Sequence, residues 1–133
     1  MDQTKKQEQE LFIRLSMYEQ HIQELQQQLQ AVQQTVIELS KMNIELDDLE
    51  DSEGREILAQ IGRGIYAKAR LISKDLIVNI GDKNLVGKSV SETKQIIQKQ
   101  IQKLDNIKNE LEAALEKINT ELTKTIMEYN QNR

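Results

Sequence analysis

The chain has 133 residues, of which 38% are apolar, 30% are charged and 3% are aromatic, and it contains no Trp, Pro or Cys. One domain is expected at this length, but so few aromatic side chains are atypical of a compact globular core. The lack of Cys excludes a disulfide framework, a thiolate metal site and a cysteine nucleophile, and favours a cytoplasmic location. No window approaches the apolar length of a membrane span, so no membrane partner is expected.

The net charge of −4 is unevenly distributed. Residues 1–53 carry 12 acidic and 4 basic side chains, residues 54–88 carry 3 and 7, and residues 89–133 carry 7 of each. A basic middle segment can indicate nucleic-acid binding, but only Tyr66 offers a ring for base stacking there. Because Lys on strand edges more often prevents unwanted pairing, no nucleic-acid partner is expected.

The first long segment repeats apolar residues at alternating spacings of four and three, which is typical of a coiled coil. Its seam positions are Leu11, Leu15, Tyr18, Ile22, Leu25, Leu29, Val32, Val36 and Leu39. Asn43 and Leu46 continue the register, and acidic residues then accumulate up to Glu53. Because carboxylates oppose the dipole at a helix C-terminus, we predict that the helix ends near residues 46–51. The acidic cluster is interpreted as a solvated loop, since its spacing does not fit a calcium-binding EF-hand.

The middle segment changes to a period of two and is rich in β-branched residues, which predicts strands. Four strands are expected, at residues 57–61, 65–72, 76–80 and 85–88. Two hairpins of this size cannot form a core alone, and their edges are open. We therefore predict an assembly interface with other subunits, formed by the apolar residues Ile57, Ile61, Ile65, Ala67, Leu71, Leu76, Val78 and Ile80.

A second helix is predicted after a Ser-x-x-Glu capping box made by Ser89 and Glu92. Its heptad seam is Ile97, Ile101, Leu104, Lys108, Leu111, Leu115, Ile118, Leu122, Thr125 and Tyr129. The arms have similar lengths and are joined by one short block, so they are expected to pair within one chain. The predicted fold class is α+β: a long antiparallel coiled-coil hairpin, residues 1–50 and 89–133, with two central β-hairpins, residues 55–88.

Sequence motifs for chemistry are weak. The run Gly81 to Ser89 ends in Gly-Lys-Ser, but it has five residues between its glycines where a phosphate-binding loop has four. We interpret it as a turn, an edge strand and a helix cap. Gly62-Arg63-Gly64 lacks the third glycine of a dinucleotide site, and His21 is the single histidine. We therefore predict no enzymatic activity, no catalytic residue, no metal ion and no cofactor.

A family resemblance is carried by the middle of the chain. Glu56 to Leu71 reads Glu-Ile-Leu-Ala-Gln-Ile-Gly-Arg-Gly-Ile-Tyr-Ala-Lys-Ala-Arg-Leu, an Ile/Val-rich strand then ends at Gly81, and Lys88-Ser89 enters the second helix. This arrangement resembles the α-class subunits of prefoldin, although Gln60 stands where that family usually has Pro.

The resemblance implies an ATP-independent holding chaperone. In prefoldin, α- and β-class subunits join their hairpins into an oligomeric β-barrel, and the tips of the coiled coils capture non-native chains that pass to a group II chaperonin. Some α-class relatives assemble only with themselves, as filaments. The implied partners are therefore β-class prefoldin subunits or further copies of this chain, unfolded polypeptide clients and a group II chaperonin.

Clients are expected to bind at the free ends of the arms, where apolar side chains exceed what the seam needs. The predicted tip residues are Leu11, Phe12, Ile13, Met17, Ile126, Met127 and Tyr129. A flexible surface that contains Met can adapt to many unfolded segments. The competing hypothesis is a structural coiled-coil scaffold or filament-forming protein without client transfer.

Overall fold

A computed structural model describes residues 2–131. In chain order the elements are α1 (Asp2–Leu49), β1 (Glu56–Gly62), β2 (Ile65–Arg70), β3 (Leu76–Asn79), β4 (Leu85–Lys88) and α2 (Val90–Gln131). The predicted fold class, two long helices around two β-hairpins, is confirmed, whereas a β-barrel needs several chains and stays a prediction. The chain divides into two compact units, one made of residues 1–35 with 104–133 and the other of residues 36–103.

The first unit is a pair of antiparallel helical segments, one from each end of the chain. The Tyr129 hydroxyl donates to a carboxylate oxygen of Glu8 at 3.3 Å, and the Thr125 side chain lies near the Tyr18 hydroxyl. All predicted seam positions in this unit are buried or half-buried, whereas the described α1 positions between them are exposed. The heptad pattern therefore identifies the packed faces of both helices correctly.

The second unit contains the last turns of α1, both hairpins and the first turns of α2. The ammonium group of Lys94 pairs with the Asp47 carboxylate, which joins the two helices of this unit. Val90 and Ile97 are its buried apolar side chains. The α1 seam continues through Asn43 and Leu46, both of which are half-buried.

The end of α1 at Leu49 lies inside the predicted interval and is followed by a tight turn. Gly54 has a φ of +83°, a conformation that favours glycine because it has no Cβ. Its N–H donates to the Leu71 carbonyl at 2.6 Å, and the Leu71 N–H donates to the Arg55 carbonyl at 3.0 Å. These bonds connect the turn at Gly54 and Arg55 to Leu71, the residue that follows β2.

The start of α2 is the predicted capping box. The Glu92 N–H donates to Ser89 Oγ at 3.0 Å, and the Ser89 N–H donates to Glu92 Oε1 at 3.3 Å. The Ser89 hydrogen bonds, from its backbone first and then its side chain, hold the pKa of the Glu92 carboxyl below its usual range. The box therefore works with an ionised carboxylate, which also interacts favourably with the helix N-terminus.

The first hairpin pairs β1 with β2 in an antiparallel register that sets Ile57 opposite Ala69 and Gly62 opposite Ile65. The register shifts between Gln60 and Gly62, so one residue is left over near the turn. β2 ends at Arg70, two residues before the predicted end. The alternation along β2 predicts that Ile65 is half-buried, like Ala67 and Ala69, and this prediction is wrong: Ile65 is exposed beside the irregular turn.

The second hairpin pairs β3 with β4 and sets Val78 opposite Val86. Its turn has positive φ at both central residues, 48° at Asp82 and 62° at Lys83, and the Asn84 N–H donates to the Gly81 carbonyl at 2.8 Å. This is the geometry of a type I′ turn, which matches the twist of paired strands. The stretch that resembles a phosphate loop is thus a hairpin turn and a paired strand, as interpreted.

Candidate functional surfaces

The predicted tip residues of α1 divide between the seam and the surface. Leu11 is half-buried in the seam of the first unit. Phe12, Ile13 and Met17 are exposed, Phe12 to 71% and Met17 to 64%. Ile13 and Met17 are one helical turn apart, so their side chains are neighbours on the outer face of α1.

The predicted tip residues of α2 divide in the same way. Ile126 and Met127 are exposed. Tyr129 is half-buried in the seam, where its hydroxyl contacts Glu8. Five of the seven predicted tip residues are therefore available at the surface, and we call these five the tip surface: Phe12, Ile13, Met17, Ile126 and Met127.

The two flanks of this helix pair differ in chemistry. One flank is a shallow groove lined mainly by polar side chains, namely Gln7, Glu10, Leu11, Arg14, Thr125, Glu128 and Tyr129. Phe12 and Ile126 each follow a seam residue directly, which rotates them about 100° away from the seam toward the opposite flank. The antiparallel pairing therefore brings an aromatic and an aliphatic side chain to one flank and leaves the other polar.

Polar side chains lie in and beside the seam behind the tip surface. Thr125 is only 6% exposed, and its hydroxyl donates to the Glu121 carbonyl at 2.8 Å. Arg14 donates to the Tyr18 hydroxyl at 3.5 Å, and this bond, followed by the nearby Thr125 side chain, lowers the pKa of the Tyr18 phenol. The sequence shows Thr125 only as a lapse in the heptads, so the bond from its hydroxyl to Glu121 was not predicted.

The predicted assembly residues also occupy two environments in the second unit. Five are half-buried against their own subunit: Ile57, Ala67, Leu71, Leu76 and Val78. Three are exposed: Ile61, Ile65 and Ile80. The structure adds five large exposed side chains that sequence reasoning did not select, which are Leu58, Tyr66, Ile72, Ile77 and Leu85.

Four of the missed residues lie on the outer faces of the hairpins, and Ile72 lies between β2 and β3. Ile57 and Leu58 are adjacent, and alternation sends them to opposite faces of the strand. Both are apolar, so a period of two does not reveal which faces the subunit. The same ambiguity applies to Ile77 and Val78, of which only Val78 is half-buried.

Strand edges are the second feature of the hairpin block, residues 55–88. Each hairpin forms its own two-stranded sheet, so every strand is paired on one side only among the described residues. Unpaired backbone N–H and C=O groups at such edges are a template for pairing with another chain. Exposed apolar side chains and open edges therefore occur together in this block.

Other kinds of site have little support. Within residues 2–131, no three His, Asp or Glu side chains converge in a way that could hold a metal ion. Over the same residues, neither helix has an apolar stretch long enough to cross a membrane.

Known proteins resemble the chain over most of its length. A family model described as prefoldin subunit matches residues 18–133. The α subunit of prefoldin from Methanococcus maripaludis is 30% identical over 115 residues, which covers 86% of this chain and 74% of the relative. The α subunit from Methanobrevibacter smithii is 30% identical over 110 residues, covering 82% and 70%.

A solved structure shows the same fold. The cryo-EM structure of filamentous prefoldin from Methanocaldococcus jannaschii matches with a TM-score of 0.77 and covers 86% of this chain and 96% of that one, at 20% identity. Two helices, two hairpins, the family model and the relatives point to the same assignment. The chain belongs to the prefoldin family.

Proposed function

We propose that this chain is a subunit of an ATP-independent holding chaperone that captures non-native polypeptides on its tip surface. The observation that carries the proposal is the exposure of five large apolar side chains, two of them Met, at one end of a helix pair whose seam is already filled. Exposed apolar groups of this size reduce solubility, so their clustering calls for a binding role.

The physical properties of the tip surface suit a client without fixed structure. Met side chains are unbranched and polarizable, so Met17 and Met127 can adapt to different apolar segments. Helical backbone at the tip has its hydrogen bonds satisfied internally and offers no strand edge to a client. Binding then depends on apolar contact area, which favours weak and unselective capture over recognition of one sequence.

Assembly through the hairpin block would make weak capture effective. Several copies held together present several tip surfaces to one unfolded chain, and multivalency can raise overall affinity by about 10²–10⁴ without new contacts. The partners would be β-class prefoldin subunits or further copies of this chain, as in the filament of the M. jannaschii protein. Transfer of clients to a group II chaperonin in the cytoplasm completes the proposed role.

The test is suppression of aggregation by matched variants. Ile126 and Ile107 both lie on α2 and are 41% and 42% exposed, but only Ile126 belongs to the tip surface. Phe12→Ser with Ile126→Ser should lose most of the ability to keep a guanidinium-denatured client soluble on dilution, with or without ATP. Gln9→Ser with Ile107→Ser is the control and should protect like the parent.

The scaffold hypothesis makes the opposite forecast. A structural coiled coil would leave the denatured client to aggregate, and the tip substitutions would change nothing. Light scattering of the diluted client measures both outcomes, and circular dichroism checks that the variants keep their helix content. Equal protection by the parent, the tip variant and the control would refute capture at the tip surface.

A further inference from the structure

The outer face of α1 in the hairpin-bearing unit carries an apolar stripe that the seam does not use. Ile37, Lys41, Ile44 and Asp48 are spaced by four, three and four residues, which places them on one helix face opposite the seam. Ile37 and Ile44 are 61% and 70% exposed. We call these four residues, together with Glu45 beside them, the α1 stripe.

Acidic side chains surround the α1 stripe. Residues 36–53 contain seven acidic residues and one basic residue. The ion pairs among the described residues of this unit are Lys94 with Asp47 and Lys88 with Glu92. Glu45 and Asp48 lie outside these pairs, so no ion pair among residues 2–131 neutralises their charges.

The outer face of the first hairpin is net basic, because Lys68 and Arg70 lie on it with one carboxylate, Glu56, which is opposite Arg70 in the register. Leu58 and Tyr66 are exposed there, and Leu58 lies directly opposite Lys68 in the register. Arg70 is the next residue of β2 on the same face, because side chains alternate along a strand. Neither cation takes part in an ion pair among the described residues. We call Leu58, Tyr66, Lys68 and Arg70 the hairpin face.

The α1 stripe and the hairpin face are both apolar in part and carry opposite net charge. Each has two large exposed apolar side chains. The α1 stripe adds two carboxylates, Glu45 and Asp48, and one cation, Lys41, whereas the hairpin face adds two cations, Lys68 and Arg70. In one subunit both surfaces are exposed, so the chain does not satisfy its own complementarity. Charge complementarity steers association and excludes like-charged partners.

We infer that the α1 stripe of one copy of this chain receives the hairpin face of a second copy. Such a contact joins two different surfaces, so each copy keeps one of each free and the contact can continue from copy to copy. It is separate from pairing of hairpin edges and does not depend on client capture. The occupant of the α1 stripe is therefore a second copy, selected by its basic hairpin.

Charge exchange tests the contact. Glu45→Lys with Asp48→Lys changes the stripe, and Lys68→Glu with Arg70→Glu changes the hairpin face. Each double variant alone should associate with itself about tenfold or more weakly than the parent, because like charges then meet at the contact. An equimolar mixture of the two should recover association. Glu110→Lys with Glu116→Lys, on α2 of the other unit, is the matched control and should associate like the parent.

Cysteine crosslinking locates the contact directly, because the chain has no Cys of its own. Copies with Ile44→Cys mixed with copies with Tyr66→Cys should form a disulfide-linked pair on a non-reducing gel, whereas Gln27→Cys mixed with Tyr66→Cys should not. Unchanged association of the charge variants, failure of their mixture to recover, or linkage of Tyr66→Cys only to itself would overturn the inference. Protection of denatured clients by the parent is a separate readout, so failure of the proposed function would be seen independently.

Discussion

The tip surface and the hairpin block both expose large apolar side chains, but they differ in what their backbones offer. At the tip surface the backbone is helical and its hydrogen bonds are closed within each helix, so a partner can meet only side chains. In the hairpin block each strand has an open edge, and a partner can add directional backbone bonds to apolar contact. Directional bonds fix geometry, whereas apolar contact alone does not. The difference suits the block to assembly with a defined partner and the tip to capture of varied ones.

The largest effect is expected from substitutions that place charge on the outer face of the second hairpin. Ile77→Asp with Leu85→Asp should abolish large assemblies, because both side chains are exposed on the subunit and would bring desolvated carboxylates into an interface. The subunit itself should stay folded and helical. Light scattering coupled to size exclusion measures the mass, and circular dichroism the helix content.

The matched change at the tip should separate the two regions. Phe12→Asp with Met17→Asp alters two residues of similar exposure on α1, and the assembly mass should equal that of the parent. If the assembly mass fell in the tip variant, or stayed unchanged in the hairpin variant, the assignment of assembly to the hairpin block and capture to the tip surface would be contradicted.

The second prediction compares a polar seam residue in the hairpin-bearing unit with one in the other unit. Asn43 occupies a seam position of the hairpin-bearing unit, and its buried Oδ1 has no hydrogen-bond partner among the described residues. Thr125 is also a buried polar seam residue, but its hydroxyl is satisfied by Glu121. An unsatisfied buried acceptor costs about 1–3 kcal/mol. Asn43→Leu should therefore stabilise the protein by about that amount.

The control is Thr125→Val, which removes a hydroxyl that already has a partner. Its effect on the free energy of unfolding should stay below about 1 kcal/mol in either direction. Urea unfolding at a fixed protein concentration measures both variants, since association shifts the apparent stability. A destabilised Asn43→Leu protein would mean that Asn43 has a partner in the assembled state.

Periodicity predicted much of the architecture, because it needs only the spacing of apolar residues. The seam from Leu11 to Tyr129, the end of α1 and the Ser89 cap follow from local sequence. Tertiary features did not follow in the same way. Neither the satisfied state of Thr125 nor the unsatisfied state of Asn43 can be deduced from spacing, since both depend on which atoms of the opposite helix or the same turn come near.

Exposed apolar residues were predicted less completely than the helices, because exposure also depends on tertiary packing. The exposure of the tip surface could be predicted, because its apolar side chains stand outside the heptad seam. On the hairpins both faces are apolar, so Leu58 and Ile77 were passed over in favour of Ile57 and Val78. That Phe12 and Ile126 lie on the same flank can be recognised only when the antiparallel pairing of the two helices is known. That pairing brings together residues more than a hundred positions apart.

The third prediction concerns the cap that begins α2 beside the hairpin block. Ser89→Ala removes the acceptor for the Glu92 N–H and should cost about 1 kcal/mol of folding free energy. Ser89→Asp keeps a capping oxygen and should lose much less. Thermal unfolding at a fixed protein concentration checks the order parent, Ser89→Asp, Ser89→Ala.

The same cap gives a pH dependence with a defined sign. The Glu92 pKa is lowered in the folded chain from an ordinary value of 4.5, so its stabilising effect is present above that pH and is lost as the pH falls below it. Stability should therefore decline less on acidification in Glu92→Gln than in the parent. A Glu92→Gln variant with the same acid slope as the parent would mean that the cap does not depend on the charge.

The smallest expected effect lies in the turn of the second hairpin and tests whether that hairpin can be strengthened without touching the tip surface. Lys83 holds a φ of 62°, which costs an L-residue other than Gly roughly 1–2 kcal/mol. Gly removes that strain but loses about 0.5–1 kcal/mol through greater freedom in the unfolded chain. Lys83→Gly should therefore stabilise the protein by up to about 1.5 kcal/mol. It also produces the Asp-Gly pair that type I′ turns prefer. Lys83→Ala keeps the strain and should bring no gain, whereas client protection should be unchanged in both, because their tip surfaces are identical. Equal melting temperatures for the two variants would show that the positive φ of Lys83 stores no strain.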